Sequence, residues 1–191
     1  MENQHRKIKG YRELSQAEID LMNEIKQKGV ELGASHCLTD KDFFDCKRAT
    51  LHGEYVITIA DAFLDIIDTL QDSPTAVSGP TIGADPLITA ITMRASQTGR
   101  ACVNGVIIRK EPKKHGSKNY IENDQGPGTR VVVVDDVITT GISIVKACDH
   151  LLAAGYHISA IIAVIDRGGA EDLRGYYDCG VYSLFKVSDF T

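Results

Sequence analysis

The segment that most constrains the fold is "RVVVVDDVITTGIS", residues 130–143. β-Branched valines favour extended strands, and successive residues of a strand point to opposite faces of its sheet. Four valines in a row therefore predict a strand that is covered on both faces, as in parallel sheets flanked by helices. Two aspartates, a Thr-Thr-Gly turn and a helix-like segment follow directly. This order places polar groups at the carboxyl end of a buried strand.

The rest of the chain supports the same architecture, because strand and helix patterns alternate from about residue 75 onward. Strands are predicted at 75–80, 100–109, 130–134, 159–165 and 181–187, and helices at 55–70, 85–97 and 142–154. Asp85 and Pro86 are predicted as the N-cap and first residue of the second helix. Another helix is predicted after Ser15, where Glu18 completes a capping-box spacing. The fold class is therefore α/β, with a doubly wound, mainly parallel sheet and flanking helices. Such sheets bind ligands beyond the carboxyl ends of their strands.

Length and composition exclude several classes of protein. The 191 residues suit one domain, and 43% apolar with 25% charged residues is typical of a globular chain. A net charge of -5 argues against a surface built to coat nucleic acid. No apolar stretch approaches the length of a membrane span, and the N-terminal residues lack the apolar core of a secretory signal. Five cysteines without a CxxC pair predict neither a zinc site nor a disulfide framework, so a cytoplasmic protein is expected.

The polar residues after the valine strand can hold a phosphorylated sugar. A helix N-terminus attracts anions, because its N–H groups and its dipole point toward the ligand. The residues that open this helix, named here the phosphate turn, are Thr139, Thr140, Gly141, Ile142 and Ser143. Hydroxyl groups and a glycine suit a phosphate, whereas Asp135 and Asp136 suit sugar hydroxyls or a magnesium ion held through water. The segment predicts a ribose 5-phosphate site; the alternative is a strand ending in solvated acids before a Thr-capped helix.

A second informative segment is the basic loop, residues 109–127. Between residues 109 and 118 it has five basic side chains and one acidic, besides His115, in a chain of net charge -5. Pro112 and Gly116 predict an irregular, exposed and mobile segment. Cations so placed can stabilise a leaving polyanion and exclude water from it. Two alternatives stay open: a solvated surface loop, and a nucleic-acid patch, for which Tyr120 is the only interleaved aromatic residue.

The segment "VVVVDDVITTGIS" resembles the signature of the type I phosphoribosyltransferases, which bind phosphoribosyl pyrophosphate (PRPP). The resemblance implies the fold of that family in a single domain over residues 1–191, with an N-terminal helix and small hood region (1–54) and a core (55–191). It implies that Asp135 and Asp136 hold the ribose hydroxyls, and Mg²⁺ through water or PRPP, while the phosphate turn wraps the 5-phosphate. Ile142 departs from the family pattern, which often has Thr or Gly there, so Ser143 is expected to supply the hydroxyl.

The segment "RKEPKKHG", followed by "IE", is similar to the catalytic loop of orotate phosphoribosyltransferases, the pyrimidine-pathway members of the family. The resemblance implies that Arg109, Lys110, Lys113 and His115 contact pyrophosphate, with Lys113 most directly tied to rate. In the family this loop reaches into the neighbouring subunit, so a homodimer that shares its active sites is implied. Purine-specific relatives generally have a less basic loop.

Two further segments resemble parts of orotate phosphoribosyltransferases. "FFDCKRATLHGEY" is similar to the hood, which implies that Phe43 and Phe44 flank the pyrimidine ring; the alternative is a pair of core residues. Whether Lys47 and the adjacent arginine contact the ligand is left open. The glycine loop, "SGPTIGADP" at residues 78–86, is similar to the pyrophosphate loop and contributes Gly83 and Ala84. Many orotate enzymes have a lysine in this loop, and this sequence has none.

A last segment, "VIDRGGAEDL", places Arg167 at the carboxyl end of a strand. Arginine can hold a carboxylate or carbonyl with paired donors, and the family assigns the matching arginine to the base. The alternative is a surface pair between Asp166 and Arg167. Arg94, in the helix after the glycine loop, is expected to be structural.

The resemblance therefore implies the activity of the orotate phosphoribosyltransferases, which transfer 5-phosphoribose from PRPP to orotate in pyrimidine nucleotide biosynthesis and release pyrophosphate. One alternative is a PRPP-binding regulator without catalysis. Residues 1–40 have a net charge of -1 and no helix-turn-helix pattern, so binding to DNA is not expected. The other alternative is transfer to a different nucleobase, which a fold resemblance does not settle.

Overall fold

The computed structural model describes residues 38–40, 43–44, 46–101, 103–112 and 120–189, with backbone alone at 38–40 and 43–44. The helix predicted after Ser15 lies outside these residues. In the described part of the chain, no helix combines the length and the apolar character needed to cross a membrane.

A six-stranded sheet with strand order β5-β4-β3-β6-β7-β8 forms the centre of the molecule. Its strands are β3 (Ala76–Pro80), β4 (Asn104–Ile108), β5 (Ile121–Glu122), β6 (Arg130–Ile138), β7 (His157–Asp166) and β8 (Gly180–Lys186). All neighbouring pairs are parallel except β4 with β5. A separate antiparallel pair, β1 (Leu38–Asp40) and β2 (Phe43–Phe44), precedes the sheet.

Helices cover both faces of the sheet. They are α1 (Lys47–Thr50), α2 (Gly53–Asp68), α3 (Ala84–Thr98), α4 (Ile142–Ala153) and α5 (Ala170–Arg174), followed by a 3₁₀ turn at Val187–Asp189 after β8. One buried cluster joins α1, α2 and α3 to the sheet, and a second joins α4 and α5 to the opposite face. The predicted doubly wound, mainly parallel α/β fold is confirmed.

The valines of β6 explain why this strand lies inside the sheet. Val132 and Val134 belong to the cluster under α2 and α3, whereas Val131 and Val133 belong to the cluster under α4. All four side chains are 0% exposed. An unbroken apolar run is thus required, because each face of the strand is covered by helices.

The order of the strands creates a switch point between β3 and β6. From β3 the chain proceeds to β4 on one side, while β6, β7 and β8 follow on the other. The crossover connections therefore diverge at the carboxyl ends of β3 and β6, where doubly wound sheets bind their ligands. The glycine loop follows β3 and the phosphate turn follows β6, so both predicted binding segments lie at this edge.

Some individual elements differ from the expectations. Helix α3 has Gly83 as its N-cap, so Asp85 and Pro86 lie within its first turn; proline is tolerated there because the first helical N–H groups need no partner within the helix. The basic loop contains the short strand β5 and is not wholly irregular. The helix α5, only five residues long, was not predicted.

Candidate active site

The acid pair, Asp135 and Asp136, lies within the last part of β6. The valine pattern predicted a strand that ended at residue 134, but β6 continues to Ile138. Strand β7 stabilises the extension, because it remains paired with β6 up to Ile138, whereas the pairing with β3 stops at Val133. Both carboxylates therefore stand on a fixed backbone at the switch point.

Asp135 is a buried carboxyl group among polar partners. It is 5% exposed, and its two oxygens accept hydrogen bonds from the Asp136 N–H at 2.9 Å and the Ser143 hydroxyl at 3.3 Å. Burial, together with the adjacent Asp136 carboxylate, raises the pKa of Asp135 to about 8. Asp135 therefore holds its proton much more strongly than an exposed aspartate does.

Asp136 is oriented by different groups. One of its oxygens accepts a hydrogen bond from the Val137 N–H at 2.8 Å, and the other lies 4.0 Å from the Nζ atom of Lys47 in α1. The Lys47 side chain is 49% exposed, against 14% for Asp136. The sequence left the role of Lys47 open; the structure places its ammonium group beside the acid pair.

The glycine loop lies directly against the acid pair. A Cβ atom on Gly83 would be 2.5 Å from Asp136 Oδ1 and 2.8 Å from Asp135 Oδ1, so only glycine fits this position without displacing a neighbour. Ala84 is fully buried at the start of α3. Gly83, one of the two residues predicted to contact pyrophosphate, therefore adjoins the acids predicted to hold the ribose.

The phosphate turn connects β6 to α4 and leaves the start of that helix without a side-chain cap. Its N-cap, Gly141, has φ of +70°, and a Cβ atom there would lie 2.9 Å from Leu173. The exposed residues of the turn are Thr139, Thr140, Ile142 and Ser143. No acidic residue occurs in the first turn of α4, which suits an anion. The Ser143 hydroxyl, predicted to serve the phosphate, donates to Asp135 in this structure.

The root of the basic loop is closed by Arg109. Its guanidinium donates to the Glu122 carboxylate at 2.8 Å, and its backbone N–H donates to the Tyr120 carbonyl at 2.8 Å. The arginine predicted to contact pyrophosphate thus holds the two ends of the loop together. The adjacent Lys110 is exposed. The remaining predicted cations of the loop lie outside the described residues: Lys113 and His115.

A cavity of about 420 Å³ lies between the root of the basic loop, the end of β3 and the first turns of α4. Its lining includes four basic side chains and no acidic one: Arg109, Lys110, Lys146 and His150. Lys146 and His150 follow Ser143 by three and seven residues and share its face of α4. The ring of His150 stacks on Tyr120 with centroids 4.0 Å apart, which joins the loop to the helix. The sequence reasoning missed both residues, although their spacing from the phosphate turn was an available signal.

The residues predicted to bind the base are only partly described. Arg167 follows β7, and its N–H donates to the Ile138 carbonyl at 2.8 Å, which fixes its backbone near the end of β6. The carboxylate of Asp166 accepts hydrogen bonds from the N–H groups of residues 168 and 170 and so fixes the turn before α5. Phe43 and Phe44 form β2, and their side chains lie outside the description.

The acid pair has the ligand chemistry of a magnesium site. Mg²⁺ prefers oxygen ligands and is commonly held by one or two carboxylates together with water and substrate phosphates. In the described part of the chain, no group of three or more His, Cys, Asp or Glu side chains could hold a metal ion. Asp135 and Asp136 therefore fit an ion shared with a phosphorylated ligand better than a metal enclosed by protein.

The part of the chain that contains the acid pair, the glycine loop and the phosphate turn matches a known protein family. Residues 50–188 match the family model of the phosphoribosyl transferase domain. The chain belongs to the phosphoribosyltransferase family. The family and fold that the sequence motifs implied are thereby confirmed.

Individual relatives of this phosphoribosyltransferase are similar over most of their length. It is 38% identical over 156 residues to an orotate phosphoribosyltransferase of Nostoc sp., covering 80% of this chain and 74% of the relative. It is 40% identical over 135 residues to the orotate phosphoribosyltransferase of Rhodopirellula baltica, covering 68% of this chain and 69% of the relative. A crystal structure of the orotate phosphoribosyltransferase of Mycobacterium tuberculosis H37Rv has a TM-score of 0.65 at 31% identity, covering 77% of this chain and 81% of that chain.

Within this phosphoribosyltransferase, the fold brings together the groups expected to bind PRPP. The acid pair, Gly83 and the phosphate turn converge at the carboxyl edge of β3 and β6. The functional roles predicted for these residues follow from the family resemblance and stay predictions. The division into a hood (1–54) and a core likewise stays a prediction, since residues 1–37 lie outside the description.

Proposed function

We propose that this phosphoribosyltransferase is an orotate phosphoribosyltransferase, which converts PRPP and orotate into orotidine 5-phosphate and pyrophosphate in pyrimidine nucleotide biosynthesis. The observation that carries the proposal is the convergence of the acid pair with the phosphate turn, through the Ser143–Asp135 hydrogen bond. A site that joins carboxylates to an uncapped helix N-terminus suits a sugar with a 5-phosphate. Similarity to curated orotate phosphoribosyltransferases supports orotate as the base.

The proposed binding of PRPP divides the substrate among three segments. The phosphate turn holds the 5-phosphate through backbone N–H groups and the hydroxyls of Thr139 and Thr140. Asp135 and Asp136 accept hydrogen bonds from the ribose hydroxyls, and a protonated Asp135 still offers one acceptor oxygen. The glycine loop receives the pyrophosphate at Gly83 and Ala84, beside the acid pair.

Orotate binds, in this proposal, between the hood and the end of β7. The aromatic rings of Phe43 and Phe44 flank the pyrimidine, and Arg167 pairs with a carbonyl or carboxylate of the base. Because orotate is already an anion with a usable ring nitrogen, no strong general base is required. The rate comes instead from positioning the two substrates and from charge stabilisation on the leaving group.

The basic loop supplies that charge stabilisation. Lys113 and His115, with Lys110 and Arg109 at the root, contact the departing pyrophosphate and exclude water from the reacting carbon. We infer a homodimer in which each loop serves the neighbouring site, because the basic loop resembles the loop that reaches into the neighbouring subunit in orotate phosphoribosyltransferases. Asp135 and Asp136 would hold Mg²⁺ through water or PRPP, and the ion would neutralise phosphate charge. A cytoplasmic location stays a prediction from the cysteine content.

The decisive experiment is the loss of orotate absorbance with purified protein, PRPP and magnesium, beside parallel reactions with uracil, adenine and hypoxanthine. Turnover of orotate alone supports the proposal. Turnover of another base would change the assigned substrate but keep the transferase. Calorimetric binding of PRPP without turnover of any base would favour the second candidate, a PRPP-binding regulator.

A further inference from the structure

We propose that Lys47 binds the diphosphate arm of PRPP and offsets the negative charge of the acid pair beside it. The inference rests on the proposed function, because it takes PRPP as the ligand of this site. It assigns a residue that the sequence motifs left open.

The glycine loop creates a problem of charge for this ligand. A diphosphate bound to N–H groups of the loop would lie next to Asp136, because Gly83 packs against that carboxylate without room for a Cβ atom. Negative groups this close repel each other. The loop has no cationic side chain to offset the repulsion, since "SGPTIGADP" contains an aspartate and no basic residue.

Lys47 is the cation that the fold brings to this point. Within the described residues, it provides the single ion pair of the acid pair, with its Nζ atom 4.0 Å from Asp136 Oδ2. Its side chain is 49% exposed and that of Asp136 is 14% exposed, so a ligand entering from solvent reaches the ammonium group more easily than the carboxylate.

The surroundings of Lys47 fix its backbone, and its side chain is half-exposed. Its neighbours Cys46 and Ala49 are 0% and 1% exposed in the cluster that contains α2. The position of α1 at the acid pair is therefore set by apolar packing. A partly exposed lysine and carboxylate at this distance contribute little to stability. Lysine suits a phosphate, because it is a compact charge on a flexible stem.

The test compares two ligands that differ by the diphosphate. Binding of PRPP and of ribose 5-phosphate is measured by calorimetry with magnesium, for the parent protein, Lys47→Ala, Lys47→Arg and Arg48→Ala. Lys47→Ala should weaken PRPP about ten- to a hundredfold, the loss expected for one hydrogen bond to a charged group, and leave ribose 5-phosphate unchanged. Lys47→Arg should recover part of the affinity. Arg48→Ala, the matched control on the same helix, should bind both ligands as the parent does.

Two results would overturn the assignment. If Lys47→Ala binds PRPP as tightly as the parent, Lys47 does not contact the diphosphate. If it loses PRPP and ribose 5-phosphate equally, Lys47 acts by orienting Asp136, and not through the diphosphate. A parent protein that binds PRPP but does not use orotate would contradict the proposed function and leave this comparison intact.

Discussion

Replacing Gly83 with alanine should push the glycine loop away from the acid pair and slow the reaction strongly. The added Cβ atom would lie 2.5 Å from Asp136 Oδ1, against 3.4 Å for ordinary van der Waals contact, a shortfall of about 0.9 Å. Asp135 Oδ1 lies 2.8 Å away from the same Cβ position, so rotating one carboxylate does not relieve the overlap. Either the loop or the acid pair must therefore move by most of that distance.

The magnitude follows from the displacement. A misplacement of about 1 Å in an assembled active site can cost about a hundredfold in rate. That factor corresponds to about 2.7 kcal/mol of lost transition-state stabilisation. Folding should be affected less, because Gly83 is half-buried at a turn that can shift. We expect the melting temperature to fall by at most about 4 °C, the equivalent of roughly 1 kcal/mol in a domain of this size.

The assay is kcat/KM for PRPP, followed through orotate absorbance and accompanied by thermal unfolding. Gly53→Ala is the matched control, because nothing lies within 4 Å of a Cβ atom at that position, and it should react like the parent. Gly79→Ala is the contrasting case: its Cβ would meet the Val134 carbonyl oxygen, so it should lose stability first. A Gly83→Ala protein with the kcat/KM of the parent would refute the reasoning, since the acids would then tolerate the displaced loop.

Three other predictions concern the basic loop, the buried acid and the helix pair. Lys113→Ala should lower kcat about a hundred- to a thousandfold without a change in melting temperature, whereas the exposed Lys186→Ala should react normally. Burial raises the pKa of Asp135 to about 8, from about 3.9 in the unfolded chain. At pH values between these two pKa values, the folded state therefore binds more protons than the unfolded state. The parent's free energy of unfolding, measured by urea titration, should therefore fall as pH rises through this range. Asp135→Asn should remove that dependence on pH and slow turnover. If the free energies of unfolding of the parent and of Asp135→Asn change in parallel with pH, the prediction is contradicted. Arg94→Ala should lower the melting temperature and leave kcat/KM unchanged, because Arg94 donates two hydrogen bonds, both 2.9 Å long, to Asp61 of the neighbouring helix.

The central fold was predictable because its signals are local. The helix predicted at 55–70 is Gly53–Asp68, and the one predicted at 142–154 is Ile142–Ala153. Both have an apolar stripe that a single sequence displays, and Gly155, with φ of +83°, marks the end of the second. The valines of β6 likewise predict a strand covered on both faces, and this prediction does not require knowing which elements cover it.

The missed elements depend on partners that a sequence does not display. A two-residue strand such as β5 has no stability alone and exists because β4 lies beside it. The extension of β6 through two aspartates contradicts strand propensity, and it is imposed by continued pairing with β7. Helix α5 is too short to form in isolation and is stabilised by packing of Ala170 and Leu173 into the cluster under α4.

The same distinction applies to the candidate site. The motifs identified the acid pair and the phosphate turn, because each is contiguous in the sequence. The proximity of Gly83 to the acids, and of Lys47 to Asp136, joins segments separated by dozens of residues and appears only in the fold. The ion pair of Arg109 with Glu122 likewise appears only in the structure, while the ligand contact that its motif implies stays a prediction.

The buried Asp135 also explains how two adjacent carboxylates can face a phosphorylated ligand. Two ionised acids at the mouth of an anion site would oppose PRPP before any contact formed. Burial and the adjacent Asp136 carboxylate raise the pKa of Asp135 to about 8, which makes ionisation of Asp135 unfavourable in the ligand-free protein. The acid pair then carries less negative charge than two fully ionised carboxylates would, and the Nζ atom of Lys47 lies 4.0 Å from Asp136 Oδ2. The burial that disfavours ionisation of Asp135 thus makes the site more compatible with a phosphate group. The oxygens of Asp135 can still accept hydrogen bonds.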